Sequence, residues 1–168
     1  MGFYDTEKGV KEYIKLAEGY DGAELIEWFS RYLSEKSTVL ELGMGPGKDL
    51  DILLKKYPAT GSDYAQPFID LYLKLHPQAD VIQLDAVTMD TPRQFDAIYS
   101  NKVLQHLSKD ACRQSLAAQH GRLNEGGLVL HALWYGDDYE EFGDLGFQQY
   151  TEESFVGLLD GRFCKSSK

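Results

Sequence analysis

The period of the apolar residues changes near residue 38. Before it, Val10, Tyr13, Ile14 and Ala17 recur three or four positions apart, as do Leu25, Ile26, Phe29, Tyr32 and Leu33. This predicts two amphipathic helices separated by the break Gly19-Tyr20-Asp21-Gly22. After residue 38, short apolar runs at 38–42, 59–62, 81–84, 95–100 and 128–134 read as strands. Between them, 47–56, 66–75 and 109–122 read as helices, the last with Ser108 placed to cap it. Strand, helix, strand alternation requires right-handed crossovers and a mainly parallel sheet with helices on both faces. The expected fold class is therefore α/β, doubly wound and Rossmann-like. Beyond Trp134 an acidic, aromatic stretch at 135–144 reads as a loop, followed by a short helix capped by Thr151 and running to about 159.

With 168 residues the chain fits one domain, and 43% hydrophobic with 26% charged residues is ordinary globular usage, which argues against disorder or a coiled coil. A formal net charge of −10 repels phosphate backbones, so nucleic acid is not expected as a partner. The apolar run at 128–133 is far short of the roughly 20 residues that cross a bilayer, and Met1-Gly2-Phe3-Tyr4-Asp5 lacks the features of a signal peptide. No membrane association and a cytoplasmic location are expected. Cys112 and Cys164 stand far apart with no Cys/His cluster, so neither a disulfide framework nor a metal site is expected.

The chemistry begins at Glu41-Leu42-Gly43-Met44-Gly45-Pro46-Gly47, a glycine-rich turn after the first strand. In open α/β sheets ligands sit beyond the C-terminal strand ends, and glycine lets a cofactor approach the backbone. Alone, a tight strand-to-helix connection is the alternative reading of the turn. A dinucleotide fingerprint needs glycine at 48, where Lys48 stands, and a phosphate-binding P-loop needs glycine at 42, where Leu42 stands. Glu41 would repel a pyrophosphate but suits hydroxyls and a cationic amino acid end. Asp63 ends the second strand where an acid gripping a ribose diol is expected, with a turn or helix-capping acid as the alternative. Asp85 and Ala86 end the third strand, where a carboxylate and a backbone amide can meet an adenine edge; a plain strand-end acid is the alternative.

Taken together, Val39 to Gly47, Gly61-Ser62-Asp63, Leu84-Asp85-Ala86, Phe95 to Asn101 and Leu123-Asn124-Glu125-Gly126-Gly127 resemble the successive signature segments of class I S-adenosylmethionine-dependent methyltransferases. The resemblance covers residues 38–134. It implies an enzyme that binds S-adenosyl-L-methionine and methylates a small molecule. It implies that Glu41, Gly43, Met44 and Gly45 line the methionine and ribose portions, that Asp63 binds the ribose hydroxyls and that Tyr64 lies against the adenine. Asp85 and Ala86 would hold the adenine edge, Ser100 and Asn101 would face the transferable methyl, and Gly126-Gly127 would turn into the fifth strand. Tyr13, and less directly Tyr4 and Tyr20, would close over the cofactor; packing on an apolar helix face is the other role open to Tyr13.

The domain would divide into an N-terminal helical cap at 1–36, a cofactor-binding core at 38–134, and a substrate loop with a short helix or strand at 135–168. Similar proteins carry a sixth strand and an antiparallel seventh, and the residues after 159 are too few for both. The C-terminal strands are thus expected to be incomplete, with the fifth strand's edge exposed or covered by a partner, in a monomer or homodimer. The sulfonium already activates the methyl group, so a catalytic residue is needed only where the acceptor must lose a proton. His106 is the best placed base, and a structural histidine at the pocket rim is the alternative. A catalytically inactive cofactor-binding module is the rival function, and a nicotinamide-dependent oxidoreductase a third, weakened by Lys48 and Glu41.

Overall fold

The computed structural model describes residues 2–163; Cys164 and the rest of the expected C-terminal segment at 164–168 lie outside the described residues. Helix α1 spans Glu7–Leu16 and α2 spans Ala23–Phe29, flanked by single 3-10 turns at Phe3–Asp5 and Ser30–Tyr32. Strands and helices then alternate: β1 Val39–Leu42, α3 Lys48–Leu54, β2 Ala59–Asp63, α4 Gln66–Leu75, β3 Val81–Gln83 and β4 Phe95–Asn101. A 3-10 turn at Leu104–His106 leads to α5 Lys109–His120 and β5 Leu123–Ala132. The chain continues through β6 Tyr139–Phe142, β7 Leu145–Gln148 and α6 Glu152–Val156.

The main sheet has the order β3-β2-β1-β4-β5 with every pairing parallel. Alternation along β1 sends Val39 to one layer, with Ile26, Phe29, Leu50 and Leu53, and Leu40 and Leu42 to the other, with Leu84, Met89, Phe95 and Ile98. Helices cover both faces, as a doubly wound sheet requires. None of the helices is long and apolar enough to cross a membrane, among the described residues.

Three elements differ from the sequence reading. Strand β5 starts at Leu123 rather than 128, because Leu123 pairs with Phe95 while Leu128 pairs with Ala97. The residues between them form a bulge with Gly126 at φ 75°, so Gly126-Gly127 bend the strand from within instead of turning into it. The acidic stretch expected as a loop pairs as the antiparallel hairpin β6–β7. Its two-residue turn, Gly143-Asp144, has Gly143 at φ 60°, the left-handed backbone such hairpin turns use. Helix α6 ends at Val156, earlier than expected. Among the described residues no strand pairs with the outer edge of β5.

Candidate active site

A cavity of about 480 Å³ opens at the C-terminal ends of β1, β2 and β4, within the roughly 300–1,000 Å³ usual for small-ligand sites. The glycine turn forms its floor. Gly43 sits at φ 63°, and a Cβ there would lie 2.5 Å from Val103 Cγ2. Gly47 sits at φ 88° with the Tyr72 ring 2.3 Å from where a Cβ would be. Both positions therefore demand glycine, which folds the chain tightly from β1 into α3.

Asp63 braces this turn. Its Oδ2 accepts from Gly45 N at 2.9 Å and its Oδ1 from Ala65 N at 2.9 Å. Burial raises its pKa against the pull of those hydrogen bonds. Each carboxylate oxygen keeps a further acceptor site. Tyr64 beside it is 65% exposed and lines the cavity. Asp85 accepts from Val87 N at 2.7 Å, closing the loop after β3, and with Ala86 lines the same wall.

A smaller hollow of about 130 Å³ shares Tyr13, Gly43, Gly45, Asn101 and Lys102 with the cavity and adds Glu41, Met44, Asp49 and Tyr20. Glu41 is 3% exposed, and its Oε2 has no hydrogen-bond partner; Asn101 Oδ1 is likewise buried without one. Burial holds the Glu41 carboxyl well above the usual range, and Asp49, Asp63 and Asp51 add to the rise. Two unsatisfied acceptors beside several carboxylates fit a ligand that brings cationic donors. Asp49 organises the region: it accepts from Gly22 N at 2.6 Å, Tyr99 Oη at 2.8 Å and Asn101 Nδ2 at 3.2 Å. Lys48 Nζ donates to Ala17 O at 2.9 Å, so adjacent residues of α3 fasten both ends of the α1–α2 connection.

Tyr4 and Tyr13 meet edge-to-face, their ring centroids 5.4 Å apart, and both pack on Phe68 of α4, so α1 walls the cavity. At the far end His106 Nδ1 lies 3.1 Å from Gly146 O. A carbonyl only accepts, so Nδ1 carries the hydrogen and neutral His106 keeps its lone pair on Nε2. Its ring also meets Phe147 edge-on at 4.8 Å, and Phe147 stacks on Trp134. Burial of this ring lowers the His106 pKa, opposed by the Gly146 contact.

Of the residues expected at the site, Tyr13, Gly43, Gly45, Asp63, Tyr64, Asp85, Ala86, Asn101 and His106 line the cavity, and Glu41 the hollow. Met44 borders the hollow but is 4% exposed and belongs to the core layer with Leu50 and Leu53. Ser100 lies elsewhere. Neighbouring strand residues point to opposite faces, so Asn101 takes the cavity side and Ser100 the other. There Ser100 Oγ donates to His131 Nδ1 at 2.7 Å. The chain continues from His131 Nε2 to Gln119 Oε1 at 2.8 Å, from Gln119 Nε2 to Ser115 Oγ at 3.0 Å, and from Ser115 Oγ to Ala86 O at 2.6 Å.

Asp49, Lys102 and Asp144 were not singled out from sequence. Lys102 adopts φ 59°, a strained backbone for a side-chain-bearing residue directly after β4. The Gly143-Asp144 pair between two short aromatic runs was the available signal for a hairpin turn.

Residues 39–127 match the family model described as a methyltransferase domain. The chain belongs to this family. It is a class I S-adenosylmethionine-dependent methyltransferase, and its cofactor is S-adenosylmethionine. A search of curated protein sequences finds no match. Solved structures share the methyltransferase's fold at low identity. CalS10, an amino pentose methyltransferase from Micromonospora echinaspora, is 17% identical with a TM-score of 0.75 over 94% of this chain and 89% of its own. The sugar N-methyltransferase KedS8 from a Streptoalloteichus species is 15% identical with a TM-score of 0.76 over 90% and 83%. The glycopeptide N-methyltransferase MtfA is 16% identical with a TM-score of 0.70 over 86% and 80%.

Proposed function

We propose that this methyltransferase acts on a small-molecule acceptor seated between the 3-10 turn Leu104–His106 and the turn of the β6–β7 hairpin. Continuity carries the reading: one cavity runs from Gly43, Gly45, Asp63 and Asp85 to His106, Asp144, Leu145 and Gly146. Similar folds that methylate amino pentoses, sugars and glycopeptides support an acceptor of small size. When bound, S-adenosylmethionine supplies a methyl carbon activated by its sulfonium. The protein then has to hold both partners in line and keep water out.

In this reading Glu41 and Asn101 hold the ammonium end of the cofactor, with the backbone of Gly43, Met44 and Gly45 close beside it. Asp63 accepts from the ribose hydroxyls with its remaining lone pairs. Asp85 and Ala86 meet the adenine edge, Tyr64 covers its face, and Tyr4 and Tyr13 close the wall. Residues 1–36 act as the cap and 135–168 as the acceptor side of a single domain. His106 serves as the base, its free Nε2 taking a proton from the acceptor.

Calorimetry with S-adenosylmethionine tests this assignment. Hydrogen bonds to charged groups contribute about 1.5–3 kcal/mol, so Asp63→Ala is expected to weaken binding at least about tenfold. Unchanged affinity in a variant that still melts cooperatively, or no binding by the parent protein, would sink it.

A further inference from the structure

We propose that the methyl acceptor is an amine, drawn in as its ammonium form by Asp144 and deprotonated by His106. The inference rests on the acceptor location given under Proposed function and names the chemistry of that end of the cavity.

Lys102 is the only Lys or Arg on the cavity wall among the described residues, and its ammonium lies 5.5 Å from the centroid of the Tyr20 ring, at the hollow shared with Glu41. The acceptor end is lined instead by Asp144, His106 and the apolar Leu107 and Leu145. A carboxylate, thiolate or phenolate placed there would meet like charge with no cation to offset it. An ammonium meets the opposite charge, and its organic part meets leucine.

The Gly146 carbonyl takes the Nδ1 hydrogen of His106, which leaves Nε2 as a pure acceptor. Packing against Phe147 at 4.8 Å fixes the ring. Loss of one ammonium proton to such an imidazole is uphill, yet far less so than loss of an alcohol proton. An alcohol is a far weaker acid, and its developing negative charge would face Asp144.

The ammonium gives one proton to His106 Nε2, and the freed nitrogen lone pair forms the bond to the methyl carbon. The carbon–sulfur bond breaks, its electron pair stays on sulfur as a neutral thioether, and the product leaves as an N-methylammonium. His106 is exposed and returns its proton to solvent.

The test uses four probes on one skeleton: benzylamine, benzyl alcohol, phenylmethanethiol and benzoate. Binding is measured by calorimetry to the protein saturated with S-adenosylhomocysteine, and N-methylbenzylamine is sought by mass spectrometry with S-adenosylmethionine present. Benzylamine is expected to bind at least about tenfold more tightly than the other three and to be methylated. Asp144→Asn is expected to reduce its affinity about fivefold or more while leaving the melting temperature and the S-adenosylmethionine affinity unchanged.

Equal or tighter binding of the alcohol, thiol or benzoate, unaltered affinity in Asp144→Asn, or no benzylamine binding by protein that does bind S-adenosylhomocysteine would overturn the amine assignment. Failure to bind S-adenosylmethionine at all would instead strike the cofactor-site reading.

Discussion

Glu41 combines three properties that rarely coexist: a carboxyl group, 3% exposure and an oxygen with no partner. Burial and the nearby Asp49 and Asp63 hold its pKa well above the ordinary carboxylate range. A cationic ligand favours the ionised form, so binding S-adenosylmethionine should release a proton, and affinity should rise with pH until Glu41 ionises in the free protein. Calorimetric titrations in phosphate and in Tris, whose ionisation heats differ, should give different binding enthalpies. That difference should vanish in Glu41→Gln. Identical enthalpies in both buffers for the parent protein would contradict the assignment. The importance of Glu41 was readable from its place ahead of the glycines; its missing partner was not, because Asp49 and Asn101 come from other elements. Ser100 shows the opposite case, since adjacency to Asn101 in sequence places it on the other face of β4.

Between elements, α5 is tied to the loop after β3 by Ser115, which donates to Ala86 O and accepts from Gln119. Ser115 is fully buried, so Ser115→Ala leaves two polar groups without partners. It should cost about 1–3 kcal/mol. Urea unfolding would measure this, and the double variant with Gln119→Ala should cost less than the sum of the singles, since the two residues share one chain. Simple additivity would show that the chain does not act as a unit. The serine and glutamine look like ordinary polar helix residues in the sequence. Strands β1 to β4 and helix α4 were legible because apolar periodicity and turn residues mark them locally. The β6–β7 hairpin was obscured by its acidic composition, which masked the turn signal at Gly143-Asp144.

For the molecule as a whole, His131 near the sheet's edge couples stability to acid pH. Burial pushes its pKa down to about 4 from an ordinary 6.5. Both ring nitrogens are committed to hydrogen bonds with Ser100 and Gln119. The unfolded chain binds this proton below about pH 6.5 and the folded chain only near pH 4, so stability is full above that window and is lost as pH falls through it. The loss is at most about 3.5 kcal/mol, at about 1.4 kcal/mol per pH unit. Urea unfolding at pH 7 and pH 4.5 should show a smaller drop for His131→Asn than for the parent protein; an equal drop would locate the acid sensitivity elsewhere.

The sequence by itself determined the alternation of strands and helices, the glycine turn and the strand-end acids, because each depends on neighbours within a few residues and on backbone rules that hold in any context. It also carried the family likeness, since the signature segments lie in order along the chain. Only the tertiary structure decided which face each strand residue takes, which carboxylates share a wall, and that His106 meets a hairpin forty positions away through Gly146. Those outcomes depend on register and on packing between elements distant in the chain, where no local pattern records the partner.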